Sequence, residues 1–170
     1  MLSKKINDAL NKQIEMEAHA SAYYLAMASW CDQKGFEGSA AFFYNQSEEE
    51  RMHMMKIFRF VNEAEGQAIS PGIEPPRQEF SKYSELFETA LNQEKKVTKS
   101  IYEIMQIARD ENDFATQNLL QWFVDEQVEE EKQMTTILDK LRLIGDEGVG
   151  LYMLDNELRE KSAVTPDEAI

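Results

Sequence analysis

Residues 39–65 read SAAFFYNQSEEERMHMMKIFRFVNEAE, and this run of 27 residues is the clearest indication of the fold. It contains neither glycine nor proline, and its apolar residues recur at spacings of three and four, as on one buried face of an α-helix. Near the middle of that face stand Glu50 and His53, three positions apart and therefore on the same side of the helix. The run predicts a long bundle helix whose buried face turns polar at its centre.

Two other long stretches, residues 1–34 and 77–144, are also free of glycine and proline. Both show the helical spacing, and neither alternates as a strand does. The second stretch is too long for one ordinary helix, and the turn- and cap-forming pair Asn112-Asp113 divides it. The sequence therefore predicts four long helices and a short fifth one, at about 4–33, 38–65, 84–110, 114–144 and 151–159.

The lengths of the connections predict the topology. Only a few residues join the first helix to the second and the third to the fourth, so each pair forms an antiparallel hairpin. The segment from Gly66 to about Lys82 reaches ~50 Å when extended, whereas a helix of about 27 residues is ~40 Å long. It can run the length of the bundle and leave the second and third helices parallel. A surface loop that returns to the same end is the alternative, which needs less chain and less proline. We expect residues 1–145 to form the bundle, 146–160 the fifth helix of the same domain and 161–170 a polar tail.

The composition limits the classes of function. The chain has 32 Asp and Glu against 18 Lys and Arg, a net charge of −14, which argues against nucleic acid or an anionic membrane as a partner. Its hydrophobic content of 42% is too high for an acidic disordered chain. A single cysteine, Cys31, excludes an intrachain disulfide, and no basic-then-apolar leader opens the sequence. We expect an acidic cytoplasmic protein in which Cys31 fills space in the core.

Ionisable and amide side chains interrupt the middle of each buried helix face. These residues are Glu17, Glu50, His53, Glu94, Gln127 and Glu130. A buried, unpaired carboxylate is costly and no Lys or Arg lies on these faces, so a divalent metal site is the least costly explanation. The chain also repeats itself at an offset of 77 residues, which matches Glu17 with Glu94 and His53 with Glu130. We interpret the repeat as two helical hairpins that meet around one site.

The helix-centre residues Glu17 and Glu94, with the motifs Glu50-Arg51-Met52-His53 and Gln127-Val128-Glu129-Glu130, resemble those of the bacterial non-haem ferritins. The similarity covers nearly the whole chain, including the run LQWFV at 120–124 and the glycine-rich bend before the fifth helix. These motifs are specific as a set, whereas Glu-x-x-His alone is a weak signal. The resemblance implies an all-α, ferritin-like four-helix bundle with a short fifth C-terminal helix.

The resemblance also implies a ferroxidase centre inside each subunit. In such proteins the residues that match Glu17, Glu50 and His53 hold the first iron, and those that match Glu50, Glu94 and Glu130 hold the second, with Gln127 close by. Oxygen-rich ligands with one imidazole suit Fe(II) rather than a thiophilic metal. Four carboxylates neutralise two Fe²⁺. Oxidation adds two positive charges, which favours hydrolysis and departure of the product over permanent occupancy.

Further residues match additional parts of this centre. Glu49, Glu126 and Glu129 match a third iron site of the bacterial subgroup. Tyr24, two helical turns after Glu17, matches a tyrosine that can act as an electron donor. Bacterioferritins bind haem through a methionine that directly follows the glutamate of the second helix. Arg51 occupies that place here, so we predict no haem.

The function that this resemblance implies is iron storage and detoxification. Fe(II) is oxidised with O₂ or H₂O₂, and Fe(III) oxide is deposited inside a shell of identical subunits, 24 in this family. A di-iron oxygenase or peroxidase without mineral storage is the main alternative. A metal-free acidic bundle is the other, and it predicts that replacing Glu50 or His53 costs no activity.

A second face of the first helix is also rather apolar. It carries Met16, Tyr23, Met27 and Trp30, and the second helix adds Phe42 and Phe58 away from its core face. One bundle cannot bury both faces of a helix, so we expect this surplus to be covered by neighbouring subunits. His19 lies off the core face, and we expect it at the surface or in an interface.

Overall fold

The computed structural model describes residues 2–163, which contain five α-helices and no strand. The helices are α1 (Lys4–Lys34), α2 (Glu37–Glu63), α3 (Tyr83–Asp110), α4 (Phe114–Ile144) and α5 (Val149–Ala163). The first four begin and end within two residues of the bounds that the sequence predicts. The all-α prediction is confirmed.

Local chemistry sets the helix ends. Ser3 caps α1 by accepting a hydrogen bond from the Ile6 amide, and Gly35 ends the helix in the left-handed conformation, with φ of 82°. Between α3 and α4, Asn112 takes up a positive φ of 56°. Asp113 then caps α4 by accepting from the Thr116 amide at 3.0 Å. The division of the longest stretch at Asn112-Asp113 is therefore confirmed.

Two apolar clusters, one toward each end of the bundle, establish the topology. The first includes Tyr24, Phe43, Phe87 and Met134, and the second includes Leu10, Ile57, Ile101 and Phe123. In both α2 and α3, the residue of the first cluster precedes the residue of the second, so these two helices run in the same direction. The connecting segment 64–82 thus passes from one end of the bundle to the other, as its length predicts.

Residues of this crossover are anchored along α1. The Asn11 side chain donates to the Gln67 carbonyl at 2.8 Å and accepts from the Ile69 amide at 2.7 Å. Further along, the Phe80 ring packs edge-on against Trp30, with 6.2 Å between the ring centroids. The crossover therefore covers part of the apolar surface of α1.

This packing corrects one expectation about the subunit surface. Met27, Trp30 and Phe42 lie in the first apolar cluster of the chain itself, with at most 7% of each side chain exposed. Met16 and Tyr23 are half-buried. The expectation that neighbouring subunits cover this whole face is therefore wrong for its most buried members, because they pack within the core of the chain itself, where Phe80 of the crossover contacts Trp30. Cys31 is buried in the same cluster, as expected of a core-filling residue.

The fifth helix is longer than the sequence predicts. It covers Val149–Ala163 rather than 151–159, so residues 161–163 are helical and only 164–170 of the expected tail lie outside the described residues. Its last turn is held by side chains: Lys161 pairs with Glu157 at 3.5 Å, and Asn45 of α2 donates to the Ser162 carbonyl at 3.0 Å. Within residues 2–163 no helix has the length and apolar character needed to cross a bilayer.

Candidate metal centre

A layer of buried polar residues separates the two apolar clusters. Each of the four long helices contributes to it: Glu17 from α1, Glu50 and His53 from α2, Glu94 from α3, and Gln127 and Glu130 from α4. None of these six side chains is more than 3% exposed. The structure therefore brings together all six residues that the sequence places at the centres of the buried faces.

Three of these side chains converge on one point. Oxygen atoms of Glu17 and Glu50 and a ring nitrogen of His53 lie within 4.8 Å of one another. Within the described part of the chain, Glu17 Oε2 and Glu50 Oε1 are buried without a hydrogen-bond partner. Buried carboxylate oxygens are normally satisfied, so these two atoms mark a place that a cation would fill. Two carboxylates and one imidazole fit a first-row divalent metal such as iron.

The two remaining carboxylates are held by neutral donors. Glu94 accepts hydrogen bonds from the Tyr24 hydroxyl and, at 3.1 Å, from Gln127 Nε2. Glu130 Oε2 accepts from Gln46 Nε2 at 3.2 Å. Neither carboxylate belongs to a converging metal-ligand group among residues 2–163. The amide nitrogen of Gln127 thus faces Glu94, where it orients a carboxylate.

A second group lies beside the first. Glu49, His53 and Glu126 also bring ligand atoms within 4.8 Å of one another. Glu49 and Glu126 are half-buried, whereas Glu129 is exposed. All three glutamates line a groove of about 580 Å³ that also reaches Glu130. The sequence-predicted third-site residues therefore share one groove, but His53 rather than Glu129 joins the converging group.

Burial and mutual repulsion favour the protonated, uncharged form of the carboxyl groups in the centre. Burial, followed by the charge of Glu50, raises the pKa of Glu17 well above its ordinary value. Burial and the charge of Glu94 do the same to the pKa of Glu50 and of Glu130. Burial also raises the pKa of the Tyr24 phenol, so its proton stays on the oxygen that faces Glu94. Without a cation, the centre is a cluster of carboxyl groups that resist ionisation.

These shifts predict a pH-dependent response to a divalent cation. A carboxyl group with a raised folded-state pKa adds stability below its ordinary pKa of about 4.3, and that stability is lost as the pH rises through the raised value. The metal-free protein should therefore lose stability as the pH rises above the ordinary range of a carboxyl group. Zn²⁺ needs the deprotonated ligands, so its stabilising effect should grow over the same interval, with release of protons.

Calorimetric Tm values of metal-free and Zn²⁺-loaded protein at several pH values measure this effect. Each change of 1 kcal/mol in the free energy of unfolding moves Tm by about 2–4 °C in a chain of this size. Glu17→Gln should flatten the dependence. A Zn²⁺ effect that is constant with pH, or largest in acid, contradicts the assignment.

Two contacts of the centre are absent from the predictions made from the sequence. Gln13, fully buried one helical turn before Glu17, donates to Glu17 Oε1 at 2.8 Å. Trp122 packs edge-on against His53, with ring centroids 5.4 Å apart. The i, i+4 spacing of Gln13 and Glu17 is a signal that could identify the first contact. The second joins α2 to α4 and depends on their packing.

The comparisons with known proteins agree with this geometry. The family model of the ferritin-like domain matches residues 7–144. A probable bacterial non-heme ferritin-like protein of Haemophilus influenzae is 42% identical over 158 residues, which are 93% of this chain and 96% of that protein. A bacterial non-heme ferritin of Staphylococcus aureus is also 42% identical, over 93% and 95% of the two chains.

Solved structures give the same relationship. The open-pore ferritin of the hyperthermophilic archaeon Archaeoglobus fulgidus superposes with a TM-score of 0.91 and 43% sequence identity, covering 94% of this chain and 98% of that one. The helical architecture, the buried Glu/His centre and these similarities lead to one conclusion. This chain belongs to the ferritin family.

Proposed function

We propose that this protein stores iron: it binds Fe(II) at the buried centre, oxidises it and deposits Fe(III) oxide within an assembly of identical chains. The observation that most supports this proposal is the convergence of Glu17, Glu50 and His53. Two buried carboxylate oxygens of this group have no hydrogen-bond donor among residues 2–163. The family relationship supports iron storage as the purpose of such a centre.

The proposed ferroxidase step uses two metal positions. Glu17, Glu50 and His53 hold the first Fe(II), and Glu50, Glu94 and Glu130 hold the second. Glu50 is suited to the shared place because its Oε2 contacts the ring nitrogen of His53 at 3.3 Å, while its Oε1 is buried without a hydrogen-bond donor in the described chain. Each Fe(II) loses one electron. O₂ takes two electrons and two protons to give H₂O₂, or H₂O₂ takes two electrons and two protons to give two waters.

Tyr24 is proposed as an additional electron donor. Its hydroxyl donates a hydrogen bond to Glu94, and its ring stacks on Phe43 with 5.9 Å between the centroids. If the phenol gave one electron to the oxidant bound at the centre, the hydroxyl proton would pass to Glu94, which leaves a neutral tyrosyl radical and a protonated carboxyl group. Tyr24→Phe should leave Fe(II) binding intact and change the oxidation kinetics.

The peripheral group supports a proposed third iron position. Glu49 and Glu126 supply carboxylates there, and Glu129 lies on the same groove at its exposed side. Burial and, to a smaller extent, the charge of Glu126 raise the pKa of Glu49. An open groove next to the buried centre offers iron a short path between the two.

The mineral requires an enclosing assembly, which we propose to be a homo-oligomeric shell of 24 chains. Large apolar side chains cluster near the end of α4 and the start of α5. They are exposed to 86% at Leu143, 75% at Val149, 69% at Tyr152 and 67% at Met153. Apolar exposure on this scale is expected of surfaces that other subunits cover.

Counting iron separates storage from the alternative of a di-iron oxygenase or peroxidase. Apoprotein receives repeated anaerobic additions of Fe(II), each followed by O₂, and protein-bound iron is measured after gel filtration. Storage predicts uptake that continues far past three irons per chain, with growing ferric absorbance. Saturation at two or three irons per chain would assign the centre to an enzyme or sensor instead.

A further inference from the structure

One buried amide lies between the candidate centre and the peripheral acidic group. Gln46 of α2 is 3% exposed and stands one helical turn before Glu50. Its Nε2 donates to Glu130 Oε2 at 3.2 Å and to Glu49 Oε2 at 3.3 Å. One side chain thus contacts a carboxylate of each group.

The direction of this amide is fixed from α4. Gln133 Nε2 donates to Gln46 Oε1 at 2.7 Å, which leaves the two N–H bonds of Gln46 for the carboxylates. A reversed Gln46 amide would turn its own NH₂ group toward the NH₂ group of Gln133, where two donors would meet and this hydrogen bond would be lost. Gln133 is half-buried beside the groove, so it can hold this orientation without entering the centre.

The two proposed metal positions differ in how far their ligands are already arranged to bind a cation. At the first, Glu17, Glu50 and His53 already converge, and Glu17 Oε2 and Glu50 Oε1 are without donors in the described chain. At the second, Glu130 Oε2 is occupied by the hydrogen bond from Gln46. The hydrogen bond from Gln46 draws on the electron density of this oxygen and fixes the direction of the carboxylate, so a cation that binds Glu130 must compete with a buried donor or turn the carboxylate away from it.

We propose that Gln46, oriented by Gln133, is a positioning residue that holds Glu130 away from the second metal position, so that the two positions fill in a fixed order. This inference rests on the proposed di-iron centre. Removing the donor of Gln46 while keeping its size should strengthen the second binding step and leave the first nearly unchanged.

Zn²⁺ titration of the assembled, metal-free protein by calorimetry measures both steps without redox chemistry. In the wild-type protein, the second step should be at least about tenfold weaker than the first, the equivalent of one charge-assisted hydrogen bond. Glu130→Gln identifies the second step by abolishing it. In Gln46→Met, the second step should tighten about tenfold, so that the two steps converge.

Two further variants keep the test decisive. Gln133→Met frees the Gln46 amide from outside the centre and should shift the second step in the same direction by a smaller factor. This variant tests the proposal by itself if the Gln46→Met protein does not assemble. Gln117→Ala is the control, because within residues 2–163 this half-buried α4 amide donates only to the Ala108 carbonyl, at 3.1 Å, and its loss should change neither step.

The possible failures are distinguishable. A wild-type protein that binds no Zn²⁺ in two steps refutes the proposed centre and this inference with it. Two wild-type steps, with the second lost in Glu130→Gln, uphold the centre. If Gln46→Met and Gln133→Met then leave the second step unchanged or weaken it, the positioning role alone is refuted.

Discussion

Replacing Glu50 with glutamine is expected to slow Fe(II) oxidation by at least about 100-fold while the assembly stays intact. Loss of residues that merely support metal ligands already costs 10–100-fold, and Glu50 is proposed to contact both irons. The amide is nearly isosteric with the acid, but it removes the charge that two cations would share. Stopped-flow ferric absorbance at two Fe(II) per chain gives the rate.

Stability separates this effect from misfolding. Burial raises the pKa of Glu50, so the metal-free fold already disfavours its charge, and Glu50→Gln should maintain or increase Tm at pH 8. Glu48→Gln is the matched control, because Glu48 is exposed on the same helix and should leave both rate and Tm unchanged. Full ferroxidase activity in Glu50→Gln would refute the di-iron assignment and favour a metal-free acidic bundle.

Replacing Asp155 with alanine is expected to cost about 3 kcal/mol of unfolding free energy, or about 6–12 °C in Tm. Asp155 lies on α5 but caps the start of α2. It accepts from the Gly38 amide at 3.0 Å, from the Ser39 amide at 2.7 Å and from the Ser39 hydroxyl at 2.6 Å. The residue is 6% exposed, so alanine would leave these donors buried and unsatisfied. It would also remove a negative charge from a helix N-terminus.

Differential scanning calorimetry of the metal-free protein measures this loss, and proteolysis reports whether α5 detaches. Asp155→Asn keeps acceptor oxygen in place and should lose less stability. Asp139→Ala removes an exposed aspartate that pairs with Arg142 and should change the free energy by less than about 0.5 kcal/mol. A Tm of Asp155→Ala equal to that of Asp139→Ala would contradict the capping role.

Much of the fold follows from local sequence signals. Gly35 and the pair Asn112-Asp113 mark helix boundaries because they adopt or cap backbone conformations that end a helix. The parallel arrangement of α2 and α3 follows from the length of the crossover. These signals act over a few residues, so they can be read without knowing the packing.

The parts that the sequence does not reveal depend on distant contacts. Asp155 caps α2 across more than 110 positions of chain, and Phe80 covers Trp30 from the crossover. The helical pattern places Trp30 on a second apolar face but cannot indicate what covers it. The bounds predicted for α5 are wrong for the same reason. Its last turn is supported by a contact with α2, which lies far away in the sequence.

The candidate centre shows the same division. Glu50 and His53 stand out because ionisable residues on an apolar helix face are costly to bury. Gln46 lies on that same face, yet the positioning role that we propose for it depends on hydrogen bonds with Glu49, Glu130 and Gln133, which only the folded chain brings together. Ligand candidates are thus readable from sequence, whereas the neutral side chains that orient them need the tertiary structure.

The most direct test of the di-iron centre is an anomalous difference map at the iron edge, from crystals loaded anaerobically with Fe(II). We expect two peaks in each chain, about 3.5–4 Å apart. One should lie against Glu17, Glu50 and His53, and the other against Glu50, Glu94 and Glu130. A map with no iron between the four long helices, or with iron only in the peripheral groove, would contradict the proposed centre.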